Sequence, residues 1–210
     1  AQGIKVLQSI STDDVSSAPK GEEERRRGVV GSLLCWKAAG AKAVEGGSLE
    51  ECKEIADRVN ANTRTIGVAL SPCTVPAKGS PTFTLADDEM EYGVGHHGEA
   101  GIEKTKLTNV DEVVERMVDQ IMADLPFGSG DKILIMINGL GGTPQCELYI
   151  AYRKARELAE KAGMTVEITM VDEYFTGLEM GGFSVTFSRL DNEIKKLLLA
   201  PTNTCMYKVI

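Results

Sequence analysis

The chain has 210 residues, of which 42% are hydrophobic and 26% charged, and it carries a formal net charge of −8 with a pI near 4.9. The acidic balance excludes the basic face on which nucleic-acid binding depends, and no apolar run approaches the ~20 residues that a membrane-spanning helix needs. Five cysteines (Cys35, Cys52, Cys73, Cys146 and Cys205) without a C-x-x-C pair or a zinc-ligand spacing point to free thiols in a reducing, cytoplasmic setting.

Residues 3–7, Gly3-Ile4-Lys5-Val6-Leu7, predict a strand. Residues 11–27 are polar, with an acidic triplet at 22–24 and a basic triplet Arg25-Arg26-Arg27, and predict an exposed loop. The arginines stand before an expected helix start at Gly28, where free backbone N–H groups favour anions. They read either as a solvated charge run or as a grip for a phosphate or an acidic partner.

Residues 29–44 predict a helix of mainly small residues, packed closely through Val30, Leu33, Leu34, Trp36, Ala38 and Ala41. Ser48-Leu49-Glu50-Glu51 has the form of a capping box, with Ser48 as N-cap and Glu51 reaching back. It opens a helix through about residue 63, its apolar face formed by Cys52, Ile55, Ala56 and Val59. Residues 65–70 are strand-like, 71–76 irregular, and 91–95 form a short strand. A helix over 109–125 shows the stripe Val113, Val114, Met117, Ile121 and Met122, which reads as core.

Residues 132–137, Lys132-Ile133-Leu134-Ile135-Met136-Ile137, form a nearly continuous apolar run, the mark of a strand covered on both faces. A glycine-rich turn, a helix over 144–162 and a strand over 164–171 complete a βαβ unit, and 183–189 alternates as one more strand. Strands and helices alternate throughout, so the fold class is α/β, with a mixed β-sheet flanked by helices on both faces. The turn Asn138-Gly139-Leu140-Gly141-Gly142-Thr143-Pro144 fits neither G-x-G-x-x-G nor a phosphate-binding G-x-x-x-x-G-K-[ST]. Thr143 is expected as N-cap with Pro144 following. Asn138 stands at the carboxyl end of a central strand, where open α/β sheets present ligand contacts.

The chain has two histidines, and both lie in the run Gly93-Val94-Gly95-His96-His97-Gly98-Glu99-Ala100-Gly101. Glycines at this spacing permit φ > 0 and let a ligand approach backbone N–H groups. A neutral imidazole can act as base or nucleophile near neutral pH, and Glu99 is close enough to orient a ring tautomer or hold a hydroxyl. A glycine-rich loop with two surface histidines is the structural alternative.

Together these segments resemble the dihydroxyacetone-binding K subunit, or K domain, of dihydroxyacetone kinases. Residues 89–101 resemble the E-x-E-x-G-x-G-x-H-G-E-x-G pattern of that family. Arg26-Arg27-Gly28-Val29, Gly67-Val68-Ala69-Leu70, Cys73-Thr74-Val75-Pro76, residues 138–144 and residues 175–184 match in the same order. The resemblance implies a two-domain family in which the first domain is incomplete here, with residues 1–64 a remnant of the N-terminal subdomain and 65–210 the C-terminal subdomain. It also implies that a further half-domain precedes Gly3, carrying glycine contacts and an aspartate base.

By the same resemblance, His97 is the residue that captures dihydroxyacetone as a covalent hemiaminal, and His96, His97, Glu99, Gly95 and Gly98 line the substrate site. The phosphoryl donor, ATP or phosphotransferase-system phosphate passed through ADP, is expected on a partner nucleotide-binding subunit or domain. No cofactor or metal is expected on this chain, and a homodimer is. Two positions depart from the pattern: His96 replaces a small apolar residue, and Ala100 stands where proline is common. His96 either reshapes the pocket for a related ketose such as erythrulose or faces outward. The alternative function is a ketose-binding regulatory paralogue without kinase activity.

Overall fold

The computed structural model describes residues 3–210. After a single 3-10 turn at Glu23–Arg25, the first α-helix is α1 (Gly31–Val44), which begins two residues later than the apolar pattern suggests. The reason is a cap that comes from far upstream: the buried Asp13 carboxylate accepts hydrogen bonds from the N–H groups of Val29 and Gly31, each at 2.9 Å. Burial pushes this carboxyl above the usual aspartate range. Helix α2 (Leu49–Ala61) starts at the expected capping box, with both reciprocal bonds between Ser48 and Glu51 present.

Strand β1 (Thr63–Ala69) is followed by a long irregular segment, then by β2 (Glu89–Tyr92) and β3 (Glu103–Lys106). Helix α3 (Val110–Asp124), capped by Asn109, leads to β4 (Lys132–Gly139), α4 (Gln145–Lys161) and β5 (Thr165–Asp172). Strand β6 (Gly182–Arg189), helix α5 (Asn192–Leu198) and a small hairpin of β7 (Thr202–Asn203) and β8 (Lys208–Val209) complete the chain.

The main sheet has six strands in the order β3-β2-β1-β6-β4-β5. Only β4 and β5 are parallel, joined through α4 as the expected βαβ unit, and β6 inserts antiparallel between β1 and β4. The period-2 alternation of β4 sorts its side chains between two layers. Ile133, Ile135 and Ile137 pack with α3 and α4, whereas Leu134 and Met136 pack with α1, α2 and α5. Helices therefore cover both faces, and the α/β class read from the sequence is the observed one.

Three local expectations are corrected. Residues 3–7 form no strand: Ile4 and Val6 are exposed, and this part of the chain meets the sheet at the single bridge between Asp14 and Thr65. Thr143 is not the N-cap of α4, because its hydroxyl instead accepts from Gly182 N–H at 2.7 Å and donates to Gly182 O at 3.0 Å. Finally, the basic triplet is solvated only at Arg25, whose side chain is on the surface. Arg26 is buried and forms a fork on Asp124, 2.9 Å from Oδ1 and 2.5 Å from Oδ2, while Arg64 grips the same carboxylate.

Candidate functional site

The two histidines lie on the connection between β2 and β3, folded over the end of the sheet where β1 and β4 finish and β6 begins. Three observations explain why this glycine-rich segment is held in place. Gly93 N–H donates to Gly67 O at 2.7 Å, Ile102 N–H to Tyr92 O at 2.8 Å, and Gly101 N–H to the buried Glu91 carboxylate at 2.8 Å. Val94 is buried with Ala69, Cys73, Leu140 and Met180. Gly98 has φ +80°, and a methyl there would collide with the Cys73 thiol, so the tight reversal after His97 requires glycine.

The His97 side chain is 70% exposed, and its Nδ1 lies 3.4 Å from Glu99 Oε1. The other Glu99 oxygen, Oε2, accepts the His97 backbone N–H at 2.9 Å. One carboxylate thus faces both the ring and the backbone of the same histidine. Partial burial pushes the Glu99 carboxyl up, but backbone N–H donors, including that of His97, and the nearby His97 and Arg27 charges outweigh it and hold it below the usual range. Gly95 makes room for this arrangement, because a methyl there would collide with Glu99 Oε2.

His96 does not face outward. The residue is 8% exposed, with its ring centroid 4.0 Å from that of His97 and 5.0 Å, edge-on, from that of Phe175. Burial, then the neighbouring His97, pushes its pKa down to about 4, so the imidazole is neutral at ordinary pH. Its buried Nδ1 has no hydrogen-bond partner among the described residues. Beyond Phe175 the aromatic row continues to Trp36, 5.5 Å away; that residue is 61% exposed on α1 instead of packed.

Asn138, at the end of β4, is committed to the protein's own backbone. It is fully buried, and its side chain holds the backbone of Tyr174 and Phe175, the residues behind His96. Sequence reasoning also missed Arg27. Its guanidinium pairs with the buried Asp14 carboxylate through Nε at 2.9 Å and donates from Nη2 to Gly93 O at 2.8 Å. Only the order of the Arg26-Arg27-Gly28 motif hinted at it, since this contact spans 66 residues of chain.

Chemically, a carboxylate at Nδ1 favours the tautomer with the proton on that nitrogen, which leaves the Nε2 lone pair free. An exposed ring so oriented can act as a nucleophile or a base. The described residues contain no group of three or more His, Cys, Asp or Glu that could hold a metal ion. They also contain no helix long and apolar enough to cross a membrane.

A family model described as the Dak1 domain matches residues 1–206. The chain is 40% identical over 207 residues to the PTS-dependent dihydroxyacetone kinase 2, dihydroxyacetone-binding subunit DhaK, of Listeria innocua serovar 6a, a match covering 99% of this chain and 62% of that protein. It is 38% identical over 212 residues to the L-erythrulose kinase of Pectobacterium atrosepticum, covering 99% of this chain and 36% of that one. Among solved structures, the dihydroxyacetone kinase operon co-activator Dha-DhaQ superposes with a TM-score of 0.88 at 32% identity, covering 96% of this chain and 62% of that chain. The chain thus spans about three-fifths of the length of the dihydroxyacetone-binding subunit it matches. With a family model matched over nearly its whole length, and a fold shared with a solved relative, the chain belongs to the Dak1 domain family.

Proposed function

We propose that this chain is the ketose-capturing part of a dihydroxyacetone kinase, with His97 as its covalent nucleophile. The observation that carries this reading is the exposed His97 ring with Nδ1 3.4 Å from the Glu99 carboxylate. In the reaction, the Nε2 lone pair adds to the ketone carbon and the carbonyl π pair moves to oxygen. The alkoxide takes up a proton while Nδ1 releases one towards Glu99. The product is a neutral hemiaminal, formed with no atom lost. Glycerol, which has no carbonyl, cannot form it. Gly95 and Gly98 keep the approach open, and His96 bounds one side of the bound ketose.

The phosphoryl group comes from a partner subunit or domain that holds the nucleotide or phosphate donor, in keeping with the names of the related kinases. Residues 65–210 form the subdomain that carries the nucleophile, residues 1–64 belong to the subdomain before it, and two copies pair as a homodimer.

The likeness to a kinase operon co-activator supports a second reading, a ketose sensor that captures the sugar without transferring phosphate. The buried His96 beside His97 makes erythrulose the first alternative ketose to test within either reading.

Carbon-13 NMR of carbonyl-labelled dihydroxyacetone, and then of erythrulose, tests capture directly. The expected result is a bound resonance moved from the ketone to the tetrahedral region, absent in His97→Ala. An unchanged ketone signal with the wild-type chain would overturn it. Phosphoryl transfer to the captured ketose in the presence of a donor subunit separates kinase from sensor.

A further inference from the structure

We propose that Arg27 is a positioning residue for His97: clamped by Asp14, it fixes the 93–101 loop from beneath and supplies the positive charge against which the Glu99 carboxylate is set. Glu99, 3.4 Å from His97 Nδ1, then favours the proton on that nitrogen and leaves Nε2 as the free nucleophile. The inference deepens the proposed capture of a ketose by His97 and rests on it for its consequence, but not for its geometry.

The geometry is specific. Arg27 reaches Asp14 Oδ2 through both Nε, at 2.9 Å, and Nη2, at 2.7 Å, and Nη2 also donates to Gly93 O at 2.8 Å. Asp14 is itself fixed, its Oδ1 accepting the Ser16 N–H at 3.0 Å and the Ser16 hydroxyl at 2.5 Å. The Asp14 side chain is 2% exposed and that of Arg27 28%, so the pair is shielded from the screening that weakens surface ion pairs.

Arg27 and Glu99 approach each other around Gly95 without forming a direct ion pair; the pair Arg27 makes is with Asp14. A methyl group placed on Gly95 would lie 3.1 Å from Arg27 Nη1 and would collide with Glu99 Oε2. The guanidinium and the carboxylate therefore converge on the one spot that a glycine leaves open. Neither neighbour in the basic triplet can substitute, because Arg26 is committed to Asp124 and Arg25 pairs with Glu22 on the surface. A fork that holds the loop backbone with one nitrogen and faces the carboxylate with another is a task for arginine and not for lysine.

The charged and titratable groups around Glu99 are His97, His96 and Arg27, with Asp14 behind Arg27, Glu91 at the loop base and Cys73 against Gly98. Of these, Arg27 is the fixed positive charge. Its removal brings the Glu99 carboxyl up, so that Glu99 is protonated, and ceases to hold the Nδ1 proton, at a higher pH.

The test is a long-range proton–nitrogen NMR spectrum of the histidine rings, which reports which nitrogen carries the proton. With two histidines in the chain, it is assigned by His96→Phe and His97→Ala. The wild-type chain is expected to show His97 with its proton on Nδ1. Glu99→Gln is expected to lose that preference and Arg27→Gln to weaken it, each with a fall of about tenfold in hemiaminal yield. In Arg27→Gln the pH at which the remaining preference disappears is expected to rise. Arg27→Lys, which keeps the charge without the fork, is expected to be intermediate in both readouts.

A folded Arg27→Gln with wild-type tautomer populations and wild-type hemiaminal yield would overturn the inference. If that variant does not fold, an Arg27→Lys indistinguishable from wild type in both readouts would overturn it equally. If the tautomer follows Arg27 but no hemiaminal forms in any variant, the positioning stands and the capture by His97 fails. If hemiaminal forms equally with and without Arg27, the capture stands and the positioning fails.

Discussion

The Asn138 side chain binds the backbone of Phe175 from both ends of its amide. Nδ2 donates to Phe175 O at 2.9 Å, and Oδ1 accepts the N–H groups of Phe175 and Tyr174 at 2.8 Å each. One fully buried side chain at the end of β4 thereby sets the position of the ring against which His96 packs. Asn138→Asp keeps the size but cannot donate to Phe175 O, and it buries a charge. A loss of about 2–4 kcal/mol of unfolding free energy is expected, measured by urea unfolding at neutral pH. Asn138→Ala is expected to lose a similar amount and to weaken ketose capture, because Phe175 is released from His96.

How far such features can be read beforehand depends on the distance over which they act. The βαβ unit was legible because the apolar run of β4 and the helical period of α4 are local patterns, and the capping box at Ser48 is complete within four residues. The histidine loop was legible from its glycines. By contrast, β3 is an exposed edge strand with the sequence Glu103-Lys104-Thr105-Lys106, which carries no apolar alternation to betray it. Residues 3–7 have the pattern of a strand but no partner strand among the described residues, and pairing decides. The roles of Asp13, Arg27 and Asn138 arise from partners 13 to 66 residues away, which no window along the chain contains.

The Asp124 carboxylate is held by Arg26 and Arg64, tying the segment before α1 and strand β1 to the end of α3. Burial pushes this carboxyl up, but the two guanidinium groups outweigh it and leave it below the usual aspartate range. Removing one partner strands buried charge, so Asp124→Ala is expected to cost about 3–5 kcal/mol at pH 7. Because the folded-state pKa is depressed, the contribution is fully present above the ordinary aspartate value and is lost as pH falls through the folded one. The difference between wild type and variant, followed by denaturant unfolding across acid pH, is therefore expected to shrink as the solution is acidified. Asp13, whose carboxyl is raised by burial, acts in the opposite sense, and for that reason the comparison is made against the variant instead of read from wild type alone.

His96 makes a prediction of its own. Its pKa is pushed down from 6.5 to about 4, so the unfolded chain binds a proton that the folded chain refuses between those values. The stability held by the neutral ring is fully present above about pH 6.5 and is lost as pH falls towards 4, an effect on the order of 3 kcal/mol. His96→Phe keeps an aromatic ring against Phe175 and removes both the titration and the unpartnered Nδ1. It is expected to be close to wild type in stability at pH 7, or above it, and to lose less than wild type by pH 4. Equal acid sensitivity of the two proteins would mean that His96 is not buried neutral in solution.

Gly95 and Gly98 flank the histidines and separate the two requirements of the loop. At Gly98 the backbone has φ +80° and faces the Cys73 thiol, so Gly98→Ala disturbs the loop itself. A left-handed alanine costs roughly 1–2 kcal/mol before the overlap with sulfur is counted. At Gly95 the backbone is unstrained, and a methyl meets the far end of the Glu99 side chain, which can swing away. Gly95→Ala is therefore expected to change unfolding free energy by less than about 1 kcal/mol, yet to displace the carboxylate from His97 Nδ1. Its effect belongs to capture: a fall of about tenfold in hemiaminal yield, with the His97 tautomer preference lost as in Glu99→Gln. Carbon-13 titration beside urea unfolding reads the two quantities separately. If Gly95→Ala captured the ketose as well as wild type, the Glu99 carboxylate would not be the partner that orients His97. If instead it lost stability in step with capture, the loop would act only as a scaffold. Loss of capture at nearly constant stability is the outcome that assigns Glu99 to the chemistry of the ring.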